Sequence, residues 1–246
     1  MPKAQIEIST KDGVCPATVF TPSGEGSWPA VLYIVDGLGI RPTVLDMGQR
    51  LSDAGYVVLL PDIFYRRGQY GPLDPMEIFA QPDVRAILRP MTTAIDNGKA
   101  ADDAAAFIAY LDSRTDVRGA KFGVVGYCMG GGIALTIAGV YPDRIAAAAS
   151  FHGGSLATDS SLSPHLLAHQ ITARIYIGVA DKDGSYPPEM AARLEAALRE
   201  SGVEFVSAFY PGASHGWTQT DFPVYHREAA ERHWRDLLDL FKDRLP

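Results

Sequence analysis

Between Lys121 and Gly132 the chain reads KFGVVGYCMGGG, and no other stretch restricts its fold as much. Phe122 to Val125 is a short apolar run rich in β-branched residues, long enough for one strand buried on both faces. Gly126-Tyr127-Cys128-Met129-Gly130 follows, then Gly131, Gly132 and the helix-forming IALTIAGV. A strand that turns sharply into a helix, with a nucleophile held between glycines, is the elbow pattern G-x-S-x-G with Cys in place of Ser. The glycines have a steric reason. The backbone at the nucleophile is strained, and a Cβ two residues to either side would strike the neighbouring strand or helix. The helix begins at the cysteine, so its dipole and free N–H groups favour a thiolate and a developing oxyanion.

Plainer readings of the same stretch exist. A cysteine at a strand end is often only a small buried hydrophobe. Glycine-rich strand-to-helix turns also cradle phosphate, but neither G-x-G-x-x-G nor Gly-Lys-Ser/Thr is present here. With 246 residues and a hydrophobic share of 47%, the chain can bury the core of one α/β domain spanning 1–246. A formal net charge of −7 argues against nucleic acid or an anionic membrane as partner. Cys15 and Cys128 are too few for a disulfide framework or a structural zinc site. The polar start, MPKAQIEISTKDG, lacks the apolar core of a signal peptide, and no run approaches the ~20 apolar residues that span a bilayer. A cytoplasmic protein is expected.

Along the chain, Gln5–Ser9 and Cys15–Phe20 alternate around the turn Lys11-Asp12-Gly13, which predicts a β-hairpin with Cys15 packed in its second strand. AVLYIV (Ala30–Val35), YVVLL (Tyr56–Leu60), the small-residue run Ile145–Phe151, RIYIGV (Arg174–Val179) and Glu204–Tyr210 are the further strands. Helices are expected over Thr43–Ala54, Thr92–Leu111, Pro188–Glu200 and Tyr225–Phe241, besides the one after the elbow. Arg66–Pro90 is irregular and reads as a wall over a site. Strands alternating with helices predict a mostly parallel, doubly wound sheet with an N-terminal hairpin and helices on both faces.

In such sheets, sites form beyond the carboxyl ends of the strands. Asp36, Cys128, Asp181 and His215 each follow a predicted buried strand or sit in its exit loop, so they converge on one edge. Nucleophile, then acid, then His is the chain order of α/β-hydrolases. GYCMGG, the GVADKD exit and the ASHGW loop, with a Trp-bearing helix after it, resemble the dienelactone hydrolase family of that fold. The likeness runs from about Ala30 to the C-terminus. It implies hydrolysis of a small ester or lactone by a Cys128–His215–Asp181 triad through a thioester, without metal or organic cofactor. Asp183 lies in the same turn, but Asp181 is nearer the strand end and matches the family position. Backbone N–H groups of Gly37 and Met129 would form the oxyanion hole. Asp36 stands where the family has a Glu that contacts the resting thiol, which implies a nucleophile-supporting role; the other reading is that it caps the following helix or turn.

Gln219 occupies a position four after the histidine where the family has a substrate-binding arginine, and a neutral amide cannot make that bidentate ion pair. Arg66, Arg67, Arg85 and Arg89 lie in the irregular segment, so a neutral or differently charged ester fits as well as an anionic lactone. His165 and His169 are expected on a solvated segment, His226 and His233 on a helix surface, and His152 near the site without a task. Acyl transfer on the same fold, and a ligand-binding or redox-sensing role without turnover, are the alternatives. Monomer and dimer both remain open.

Overall fold

A computed structural model describes residues 3–245. Eight strands form one sheet: β1 (Lys3–Thr10), β2 (Gly13–Phe20), β3 (Ala30–Ile34), β4 (Val57–Pro61), β5 (Phe122–Tyr127), β6 (Ile145–Phe151), β7 (Arg174–Lys182) and β8 (Phe205–Ser214). Their spatial order is β1-β2-β4-β3-β5-β6-β7-β8. The β1/β2 hairpin and the β2/β4 pair are antiparallel, and every other pair is parallel. The predicted hairpin and doubly wound sheet are therefore present.

Helices α1 (Pro42–Asp53), α2 (Pro75–Phe79), α3 (Val84–Thr92), α4 (Asn97–Asp112), α5 (Met129–Val140), α6 (Pro188–Glu200) and α7 (Arg227–Arg244) cover both faces. Every residue of β3, β4 and β5 is buried, as continuous apolar runs require when both faces are covered. Burying side chains of this kind releases roughly 25 cal/mol per Å² of apolar surface, so the central strands form the rigid base of the site.

Three boundaries differ from expectation. The helix expected from Thr92 starts at Asn97, where Asp96 caps it by accepting from the Lys99 N–H, and Thr92 instead ends α3. The irregular 66–90 segment holds α2 and α3, each opened by an aspartate cap, Asp74 and Asp83. β8 continues four residues past Tyr210 to Ser214, and β7 reaches Lys182. Among the described residues, no helix is long and apolar enough to cross a membrane.

Candidate active site

β5 hands the chain to α5 through Cys128, whose φ of 55° and ψ of −124° are strained for a residue with a side chain. The glycine spacing explains how this turn fits. A Cβ at Gly126 would lie 1.9 Å from the Gly130 carbonyl oxygen, and one at Gly130 would lie 2.4 Å from that of Val35. Neither can be relieved by a side-chain movement, since both obstacles are backbone. Cys128 is half-buried while Tyr127 and Gly130 on either side are buried, so the elbow presents its sulfur at the end of the sheet.

His215 follows directly on β8 and reaches this sulfur. Its Nδ1 lies 2.7 Å from Oδ2 of Asp183 and 3.1 Å from Oγ of Ser185, which leaves Nε2 for the thiol. Burial alone would lower the imidazole's pKa. The Cys128 sulfur, by charge and hydrogen bond, together with Asp183 outweighs burial and carries it up from 6.5 to about 10. Burial would likewise raise the Asp183 carboxyl, yet His215 and Ser185 hold it below the usual carboxylate range. This is the balance of an ion pair: each partner favours the other's charged form.

The expected His partner, Asp181, is displaced by two residues. Its carboxylate is turned to the surface and accepts from the N–H of Gly212 at 2.8 Å. The Asp183 side chain is only 3% exposed. Strand geometry supplies the reason. β7 pairs Ala180 with Tyr210 and then Lys182 with Ser214, so β8 bulges out between those partners. Asp181 satisfies the donor at the bulge, where Gly212 has a φ of 74°. Because β7 continues through the expected exit, the residue that clears the sheet edge is Asp183.

Asp36 follows the turn-capping reading and not the thiol-contact one. It is buried, and both carboxylate oxygens receive Arg41 at 2.8 Å; Oδ1 also accepts from the Leu38 N–H at 2.9 Å. Its carbonyl accepts from Gly39, so one aspartate closes the turn that carries Gly37. The carboxylate is committed to that turn and to Arg41 rather than to the thiol. Arg41 is itself 2% exposed and reaches Asp221 at 2.7 Å and the Gln219 Oε1 at 3.4 Å. Desolvation works against its charge, and Asp36 and then Asp221 keep it protonated. The guanidinium therefore ties the loop of Gly37 to the loop that follows His215. Gln219 is fully buried in this cluster, facing Arg41.

Gly37 adjoins the elbow on one side and α3 on the other. A Cβ placed there would be 3.8 Å from both the Met129 sulfur and the Thr92 methyl. Thr92 is the last residue of α3 and closes one end of a groove of about 750 Å³, lined along the helix by Val84, Arg85, Leu88 and Arg89. Leu38, Ile78 of α2 and Phe222 form a small apolar cluster, against which Leu73 just before α2 and Val84 and Leu88 of α3 pack. The segment expected to be irregular thus carries a pair of short helices bordering the Gly37 loop.

Of the remaining histidines, His169 is exposed and His152 near the elbow as expected, whereas His165 and His233 are buried. His233 is fully buried with its Nε2 2.8 Å from the Tyr127 hydroxyl, and burial lowers its pKa to about 3. His226 caps α7 by accepting from the Ala229 N–H. His165 is buried against Ser163 Oγ at 2.8 Å, so it is not solvated. Its separation of four from His169 falls on a 3₁₀ segment, Pro164–Gln170, where the α-helical repeat does not apply. His152 lies against the elbow cysteine: its Nδ1 is 3.1 Å from the Cys128 nitrogen. A histidine at a strand end opposite the elbow was visible in the sequence; its partner was not. Among the described residues, no group of three or more His, Cys, Asp or Glu side chains is arranged to hold a metal ion.

The model of the dienelactone hydrolase family matches residues 15–245. A protein of Methylorubrum extorquens provisionally named carboxymethylenebutenolidase is 24% identical over 241 residues, covering 97% of this chain and 80% of that one. A provisionally named dienelactone hydrolase of Klebsiella pneumoniae superposes with a TM-score of 0.84 at 22% identity, over 98% of both chains. The dienelactone hydrolase of Anabaena variabilis superposes at 0.71 and 20% identity, over 100% of this chain and 99% of that one. These likenesses establish the same fold.

Proposed function

Because the chain belongs to the dienelactone hydrolase family of carboxylic ester hydrolases, we propose that it cleaves a small ester or lactone through a thioester on Cys128. The observation that carries this reading is the contact between the strained elbow cysteine and His215, with Asp183 held on the far side of the imidazole. The triad proposed is Cys128–His215–Asp183.

The thiolate of Cys128 adds to the carbonyl carbon, and the carbonyl π electrons move to oxygen. Main-chain N–H groups of Gly37 and Met129 receive that oxyanion, Met129 being the first residue of α5, whose N–H has no partner within its own helix. Each such donor lowers the barrier by ~3 kcal/mol. His215, protonated in the resting pair, gives its proton to the departing alkoxide as the thioester forms. It then takes a proton from water, whose oxygen adds to the thioester, and thiolate leaves. In a lactone the alkoxide remains tethered, so ring opening and acylation are one event.

Incubation with a panel of small aryl esters and lactones, followed by intact-protein mass spectrometry, tests the reading. An acyl adduct on Cys128 is expected in the wild type, less of it in His215→Ala and none in Cys128→Ala. Turnover by Cys128→Ala at the wild-type rate would refute it. Hydrolysis is favoured over acyl transfer if added alcohols and thiols leave the product as free acid.

A further inference from the structure

We propose that His152 is a positioning residue that sets the register between the Cys128 thiol and the His215 imidazole, its ring wedged behind both. The inference rests on Cys128 and His215 being the reacting pair.

His152 ends β6 with a φ of 39°, and its side chain is fully buried. The N–H of Cys128 is shared between the Phe151 carbonyl and the His152 Nδ1, each at 3.1 Å. A main-chain N–H can only donate, so Nδ1 carries a lone pair and the ring proton sits on Nε2. Nε2 is 2.8 Å from Oγ1 of Thr218, which therefore accepts. Thr218 lies in the same turn as His215. The His152 ring also meets the His215 ring edge-on at 5.1 Å and the Trp217 ring at 5.0 Å. One imidazole thus grips the nucleophile's backbone with one nitrogen and the base's loop with the other.

Its neutrality has a use. Burial, and then the charge on His215, hold its pKa well below 6.5. His233 is itself neutral, packed against the Tyr127 hydroxyl. A proton on Nδ1 would face the Cys128 N–H donor to donor. The ring therefore stays uncharged while His215 gains and loses its proton, and places no second positive charge beside the imidazolium.

The test uses variants that keep one grip each. In His152→Asn the amide oxygen can take the place of Nδ1 at the elbow, and asparagine tolerates a positive φ. In His152→Gln the longer amide reaches toward Thr218 and leaves the Cys128 N–H with the Phe151 carbonyl alone. Thr218→Val removes the acceptor on the other side. The rate of Cys128 carboxamidomethylation by iodoacetamide is followed from pH 5 to 10, with peptide mapping to separate Cys15, and ester kcat, KM and melting temperature are measured alongside. Losses of about threefold in His152→Asn and about thirtyfold in His152→Gln at pH 6.5 are expected. In His152→Gln kcat should fall with KM within twofold. Thr218→Val should fall between them. Rates unchanged in both His152 variants, or equal losses that follow only the melting temperature, would overturn the proposal. A wild-type Cys128 that reacts no faster than glutathione at pH 6.5 would instead overturn the thiolate–imidazolium pair itself.

Discussion

Behind the sulfur and the imidazole, His152, Arg41 and Asp36 are 0%, 2% and 1% exposed, whereas along α3, which borders the same site, only Met91 is buried. The first region is a desolvated polar layer in which Arg41 and the His152 ring nitrogens have named partners at hydrogen-bond distance. The second is two short helices resting on Leu38, Ile78 and Phe222, with Met76, Phe79 and Ile87 exposed. Buried polar groups admit few arrangements, because a lost partner leaves a desolvated group unpaired. An exposed helix face admits many. The difference sets a packed layer, which tolerates few substitutions, against a border that can change without disturbing the sheet.

The largest effect that can break this division is on the nucleophile. Cys128→Ala should lower aryl-ester kcat by about 10⁴-fold or more, in line with triad deletions elsewhere. Asp183→Asn should cost ~10²- to 10⁴-fold in kcat, because the amide offers His215 the wrong partner. Asp181→Asn should stay within about threefold, since its carboxylate serves only the Gly212 N–H at the bulge. The ranking is the measurement that matters, and a larger loss at Asp181 would restore it as the orienting acid.

Arg41→Met probes the buried layer away from the reacting atoms. It removes the cation between Asp36 and Asp221 and leaves the Asp36 carboxylate buried. Breaking a buried pair from one side costs ~3–5 kcal/mol, so the urea midpoint should fall sharply. Adding Asp36→Asn to that variant should recover part of the loss. If the double variant is no more stable than the single one, the ion pair is not what the loss reports.

The pH dependence of stability sharpens the same point with a smaller effect. Folding raises the His215 pKa from 6.5 to about 10, so the folded chain binds that proton more tightly. The resulting stabilisation is complete below pH 6.5 and fades as pH climbs through about 10. The stability difference between wild type and His215→Gln, read from urea melts, should therefore shrink over that interval. A difference that widens with pH would have the wrong sign for an imidazolium held by Asp183 and Cys128.

How much of this could be read from the chain depends on which interactions are local. The buried runs at Ala30–Ile34 and Phe122–Tyr127 announced their strands because burial on both faces demands unbroken hydrophobicity. The elbow announced itself through glycines whose absent Cβ atoms are needed within a single turn. The acid did not, because choosing Asp183 over Asp181 depends on a bulge in β8, a neighbour some thirty residues away. Asp36 was legible as a residue at a strand exit but not as the partner of Arg41, whose reach across the site to Asp221 is non-local. His233 looked like helix surface because its burial comes from β5 and β6, through Tyr127 and Phe151, and not from its own helix.

The smallest expected effect falls on the wall, and it decides whether the wall selects substrate. Arg85 and Arg89 line the groove that ends at Thr92, beside Gly37. Both are exposed on α3, so Arg85→Gln and Arg89→Gln should each shift stability by under ~0.5 kcal/mol, as surface changes do. Neither touches the buried layer, so kcat on a neutral aryl ester should be unchanged within twofold. If the groove receives the acyl group, KM for an ester carrying a free carboxylate should rise a few-fold in the Arg89 variant, while KM for its neutral methyl-ester counterpart stays put. Equal KM shifts for both esters would mean that the arginines shape the groove without reading charge. A fall in kcat larger than the change in KM would mean that α3 helps to hold the Gly37 loop, and the separation between a fixed chemical layer and a variable wall would fail at Thr92.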